Sequence, residues 1–163
     1  MRFAKVAIVI AILLAGGAAD TRADAPSAAF LKRVDELVRW ISEHSSYPAA
    51  LKQRPKFVFL APETIRHRFS NTSMGYAEKN DVRAAQTNET IFLPDTFVLG
   101  QDDYMLVHEL VHFLQDETDR KFSCLAERER EAYRLQTAFV NETGVGSTPN
   151  DMFMLMLRCD IRE

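Results

Sequence analysis

The chain predicts an α+β fold, and three features of its 163 residues carry that expectation. A helix-spaced apolar pattern opens the folded part, short β-branched and aromatic runs follow, and two long helical patterns come after them. With 47% hydrophobic and 26% charged residues, the chain can bury its own core, so a disordered chain is not expected. Lys and Arg number 20 against 23 acidic residues, a net charge of −3. That leaves no basic surplus for phosphates or anionic lipid, so nucleic acid and membrane surfaces are poor partners.

Arg2 and Lys5 precede an uncharged run from Val6 to Ala19, and small residues then offer cleavage sites after Ala19 or Ala25. This reads as a secretory signal over residues 1–19, with cleavage as late as 25, ahead of one domain over 26–163. Pro26 disfavours the later site. The run is short of the ~18 to 20 residues that cross a bilayer, and no cysteine stands near to take a lipid, so no stable membrane anchor is expected. In an oxidising compartment Cys124 and Cys159 are expected to form a disulfide, the even count leaving neither free. Closing that loop would contribute on the order of 3 to 4 kcal/mol in the chain-entropy model. The alternative is two separate buried thiols.

Along the folded part, Phe30, Val34, Leu37, Val38 and Ile41 lie on one face of a helix that Ser27 can cap and Pro48 limits. "KFVFLAP" is a strand closed by proline, whereas the polar stretch from Glu63 to Asp81 has no clear assignment. "VRAAQT" and "TIFLP" flank Asn88 and Glu89 as the arms of a hairpin. After Asp102 or Asp103, either of which can cap, "YMLVHELVHFLQDE" runs without a breaker as a buried helix of about four turns. "CLAEREREAYRLQTAFVNETG" is a second helix with Leu125, Ala132, Leu135 and Phe139 on one face and Gly144 at its end. Thr148, Pro149 and Asp151 resemble the start of a short third one, "NDMFMLMLRC".

The chemistry sits in "HELVH". Residues i and i+4 of a helix project from one face about 5 to 6 Å apart, so His108 and His112 can offer two nitrogens to one ion. Glu109, one position on, can take a proton from a metal-polarised water and pass it to a leaving amine. From Tyr104 to Leu114 it is the only charged residue, so the segment is buried, where an unpaired carboxylate is costly. Glu131, inside the next helix and immediately before Ala132, is the expected third ligand, with Glu127 one turn earlier as its competitor.

His108, Glu109, His112 and Glu131 resemble the gluzincins, zinc metallopeptidases with HExxH and a glutamate about twenty residues later. The resemblance covers roughly residues 82–140, and the whole chain looks like small exported bacterial proteins carrying "HELVHFLQ" and a later "EAY". It implies a minimal zincin-like domain, a small sheet packed on the HExxH helix, followed by a glutamate-bearing helix. It further implies a periplasmic or extracellular hydrolase with Zn2+ on His108, His112 and Glu131. Glu109 would be general base and then acid, the substrate a peptide or protein, and the strand near Ala84 to Thr87 the edge that holds it. Metzincins need glycine and histidine where this chain has Gln115 and Thr118, so Met152 to Met156 are read as core. Some gluzincins keep an aspartate four residues after the ligand glutamate, where this chain has Leu135; Glu127 or Gln115 are the candidates for orienting a histidine instead. Tyr133, two positions from Glu131, should point away, which leaves Tyr76 and His67 as candidate oxyanion partners.

Plainer readings stand beside these. His44 reads as a capping or solvated residue, His67 as structural, and the pair at 108 and 112 as two core histidines bonded to carbonyls. Correspondingly, the alternatives to a peptidase are a zinc-binding but inactive adaptor or inhibitor, and a metal-free helical binding module. So small a domain leaves little room for subsite walls, so an unidentified protein partner is also considered.

Overall fold

The computed structural model describes residues 26–69, 83–87, 89–149 and 151–159. The expected signal segment and Tyr76 lie outside them. Helix α1, Ala28–Glu43, starts where the Ser27 side chain accepts from the Phe30 amide at 3.1 Å, filling one orphan donor of the first turn. Its buried residues are Phe30, Val34, Leu37, Val38 and Ile41, the predicted face. Strand β1, Lys56–Leu60, is followed by α2, Pro62–Phe69. Pro62 opens that helix where its missing N–H costs nothing.

Strand β2, Ala85–Thr87, and β3, Thr90–Pro94, form the expected hairpin with Thr87 opposite Thr90. β3 is central: it runs parallel to β1 and antiparallel to β2, in the order β1-β3-β2. Alternation along the strands divides the core. Phe57, Ile91 and Leu93 join the main cluster with residues of the long helices, while Phe92, with Val58 and Leu60 beside it, packs on Ile65 and Phe69 of α2. Helix α3, Asp103–Glu117, is buried from Asp103 through Gln115 and packs against α1, β2, β3 and α4, Leu125–Thr143. Asp103 has no solvent exposure; it accepts from Arg33 Nε at 2.7 Å and from the Gly100 amide at 2.9 Å.

Gly144 ends α4 at φ 69°, donating its N–H to Val140, as the left-handed cap requires. The chain then returns across α3 and α4. Gly146 (φ 107°) presses on the Tyr104 ring so closely that a Cβ there would collide with it. Helix α5, Asp151–Met156, follows, and Cys159 is disulfide-bonded to Cys124 with Cα atoms 5.7 Å apart, as expected. Two apolar expectations are corrected. Leu125, the first residue of α4, is 60% exposed, and Met152 and Met156 are exposed residues of α5 rather than core. The architecture is a small α+β domain with five helices and a three-stranded mixed sheet among the described residues. No described helix is long and apolar enough to cross a membrane.

Candidate metal centre

Helix α3 carries His108 and His112 one turn apart, both buried, with ring centroids 4.7 Å apart and ring planes at 80°. Their Nε2 atoms face each other at 3.1 Å. From α4, Glu129 Oε2 approaches the same point, 3.4 Å from His108 Nε2 and 3.3 Å from His112 Nε2. The three ligand atoms lie within 4.8 Å of one another. Glu129 keeps 30% side-chain exposure, so the cluster opens to solvent on its carboxylate side.

The carboxylate beside the histidines is thus Glu129, not Glu131. On a helix turning ~100° per residue, Glu129 and Ala132 are i and i+3 and share the face turned to α3, while Glu131 and Ala132 diverge. Glu131 instead accepts from Tyr47 and Gln115 and pairs with Arg120. Glu127 is exposed and caps α4, accepting from the Ser123 amide at 2.8 Å; that hydrogen bond holds its carboxyl below the ordinary range.

Two glutamines settle which histidine nitrogens are free. Gln115 Nε2 donates to the Arg128 carbonyl at 3.0 Å and to Glu131 Oε2 at 3.1 Å, so its Oε1 must be the atom 2.8 Å from His112 Nδ1. An amide oxygen only accepts, so His112 carries its proton on Nδ1. Arg128 Nε lies 3.3 Å from His112 Nδ1 and 3.1 Å from Gln115 Oε1; with the proton on Nδ1 it donates to the nearer oxygen. The same logic holds for His108. Gln136 Nε2 donates to the Ser147 carbonyl at 2.9 Å, which turns Oε1 toward His108 Nδ1 at 3.1 Å. Both Nε2 lone pairs are thereby directed at Glu129. Protons or a cation must stand among three such acceptors, and one cation satisfies all three at once. The donor set fits a metal.

Glu109 is buried beside the pair, and burial pushes its carboxyl up to about 7; His108 and Arg128 oppose the rise, and the charge of Glu129 adds to it. Burial also works against ionisation of Glu129, but when protons occupy the two Nε2 positions the charge and hydrogen bonds of the histidines outweigh it and hold that carboxyl far below its usual range. One carboxylate is thus fixed as an anion and the other is placed to exchange a proton near neutrality.

Of the two candidates for orienting a histidine, Gln115 is the one hydrogen-bonded to His112 Nδ1, and His67 is an exposed residue of α2. Tyr133 does turn away from Glu131, but the carboxylate at the histidines is Glu129, so that turn brings its ring to the centre. Tyr133 stands four residues after Glu129, on the same face, and its ring packs on His108 with centroids 4.4 Å apart. Gln136, the partner of His108, went unread in the sequence. Its signal is positional, since Glu129, Tyr133 and Gln136 stand at i, i+4 and i+7, one stripe toward α3. No curated protein and no solved structure is significantly similar to the chain. The family model described as Domain of unknown function (DUF6647) matches residues 26–163, and the chain belongs to that family.

Proposed function

We propose that this protein is a small exported zinc peptidase that hydrolyses peptide bonds, a zincin-like domain whose ligands are His108, His112 and Glu129. The observation that carries the reading is the convergence of two imidazole Nε2 atoms and one carboxylate within 4.8 Å, each imidazole turned there by a glutamine. Two nitrogens and an oxygen suit zinc, whereas calcium and magnesium favour all-oxygen shells. Three protein ligands leave a fourth position for water or substrate.

When bound, the ion would polarise a substrate carbonyl and a water. Glu109 would take the proton from that water and return it to the departing amine, a role that its carboxyl, raised to about 7 by burial, suits at neutral pH. The apolar residues Leu106, Val107, Leu110 and Val111, all without solvent exposure, keep bulk water from the other sides of α3. Among the described strands β2 lies at the edge of the sheet, the position at which an extended peptide would add. Gln86 on β2 is tied to the centre's surroundings through Arg128 and Asp116. The Cys124–Cys159 disulfide is compatible with export.

Zinc content of the mature protein and of Glu129→Ala, purified without added metal, tests the centre. About one zinc per chain in the parent and little in the variant supports it; no zinc after reconstitution refutes it and favours a metal-free binding module. Turnover is then sought in a peptide library, with Glu109→Gln as inactive control. Bound zinc without turnover on any peptide would assign the fold to an inactive adaptor or inhibitor.

A further inference from the structure

Glu131 does not touch the histidines, yet a continuous set of hydrogen bonds joins it to one of them. Tyr47, in the link after α1, donates its hydroxyl to Glu131 Oε2 at 2.6 Å, and Arg120 Nη2 pairs with Oε1 at 2.8 Å. Gln115 Nε2 donates to that same Oε2, and Gln115 Oε1 accepts from His112 Nδ1. Tyr47 is 4% exposed and Gln115 1%, so water cannot easily replace a missing partner. Burial and the neighbouring Glu131 carboxylate raise the Tyr47 hydroxyl above its ordinary range, which keeps it a donor.

The two ends of a glutamine amide are nearly equal in size, so packing alone cannot fix which faces a neighbour. Reversed, Gln115 would point its NH2 at His112 Nδ1. That nitrogen would then have to accept, the ring proton would move to Nε2, and an N–H would project into the space where a cation belongs. What forbids reversal is an acceptor pair on the Nε2 side, Glu131 Oε2 and the Arg128 carbonyl, with the Arg128 Nε donor on the other. Glu131 is the only side chain of that acceptor pair.

We propose that Glu131, anchored by Tyr47 and Arg120, is a positioning residue that sets the tautomer of His112 through Gln115 and thereby the affinity of the metal centre. The proposal rests on the reading of His108, His112 and Glu129 as ligands. A merely structural carboxylate, holding Tyr47 and Arg120 in place, would support the fold and leave the imidazole unchanged.

The test uses the full mature chain in two readouts. Nitrogen-15 NMR of metal-free protein reports which His112 nitrogen carries the proton, and competition with a chelating dye reports zinc affinity. In the parent, His112 is expected as the Nδ1–H form. Glu131→Ala should populate the Nε2–H form and weaken zinc binding by about 10- to 100-fold, the usual effect of losing such a partner. Tyr47→Phe, which keeps the ring packing, should move both readouts the same way by a smaller factor and serves if the alanine variant does not fold. Combined with Gln115→Ala, Glu131→Ala should add almost nothing, since both cut one path. An unchanged His112 tautomer in folded Glu131→Ala and Tyr47→Phe, with zinc affinity within twofold of the parent, would overturn the proposal. Absence of zinc binding in the parent would refute the metal reading, while the tautomer measurement would still judge the link from Glu131 to His112.

Discussion

Breaking the Cys124–Cys159 bond is expected to cost the fold about 4 kcal/mol and to loosen the metal centre with it. The cysteines are 35 residues apart, and constraining a loop of that length in the unfolded chain is worth ~4 kcal/mol in the chain-entropy model. Against the 5 to 15 kcal/mol that domains typically possess, roughly, this is a large share. Beyond α4, the described part of the enclosed chain meets the rest of the fold at Gly146, against the Tyr104 ring, and at buried Leu157. Arg130 donates to the Leu157 carbonyl at 2.6 and 3.1 Å, Phe153 packs on Tyr133, and the Ser147 carbonyl receives Gln136. Since Gln136 turns His108, fraying of the segment should reach the histidine. The assay is equilibrium urea unfolding of metal-free Cys124→Ser/Cys159→Ser against the parent, where an m-value of ~1 to 3 kcal/mol/M makes the midpoint fall by about 1 to 4 M. Hydrogen exchange of residues 145–158 and zinc competition follow on the same samples. A loss under about 1 kcal/mol would refute the stabilising role assigned to the bond. Rapid exchange of the segment with unchanged zinc affinity would refute its connection to His108.

Gln136→Leu removes the hydrogen bonds to His108 and Ser147; zinc affinity by chelator competition should fall about 10- to 100-fold, and no change would disprove the orienting role. Gly146→Ala meets both a left-handed backbone and the Tyr104 ring, so a loss of at least ~1 kcal/mol, seen as a melting point lower by roughly 3 °C or more, is expected. Asp103→Asn takes the buried carboxylate from Arg33, which is one-third exposed and keeps Glu36 at 2.9 Å, and should cost about 1.5 kcal/mol in thermal or urea unfolding. A melting curve matching the parent's would show that pair to be dispensable.

Elements with a strong period were legible in the sequence. The apolar face of α1, the residues of β3 and the hairpin turn follow from spacing and β-branched runs, as does the unbroken α3. Helix α2 was not, because only Ile65 and Phe69 are buried in its polar eight residues, too few to reveal a period. Leu125 and the α5 methionines are apolar residues at helix ends, where packing partners run out; sequence shows their hydrophobicity and not the reach of the neighbouring helix. Within the centre, the i, i+4 rule joined His108 to His112 directly. The third carboxylate was obscured by the alternation of "ERERE", and adjacency to buried Ala132 was the wrong guide. Glu129 shares that residue's face from three positions away, and Glu131 does not. Gln115 could be anticipated from its place on the ligand helix. Gln136 was hidden because a polar residue in a charged helix reads as solvent-facing until its partner across the interface is known.

The two histidines are adjacent on one helix, but the chain that steadies them is not. Tyr47, reaching His112 through Glu131 and Gln115, precedes the entire sheet, and Ser147, reaching His108 through Gln136, follows every long helix. The pair of imidazoles is complete only when segments a hundred residues apart have both docked, one for each ring. Metal capture should therefore come late in folding and favour the completed chain, since an ion that binds only the native state stabilises it by mass action. Zinc retained after purification would then count the molecules that finished folding, and a truncation at either end should lose the ion before it loses its helices.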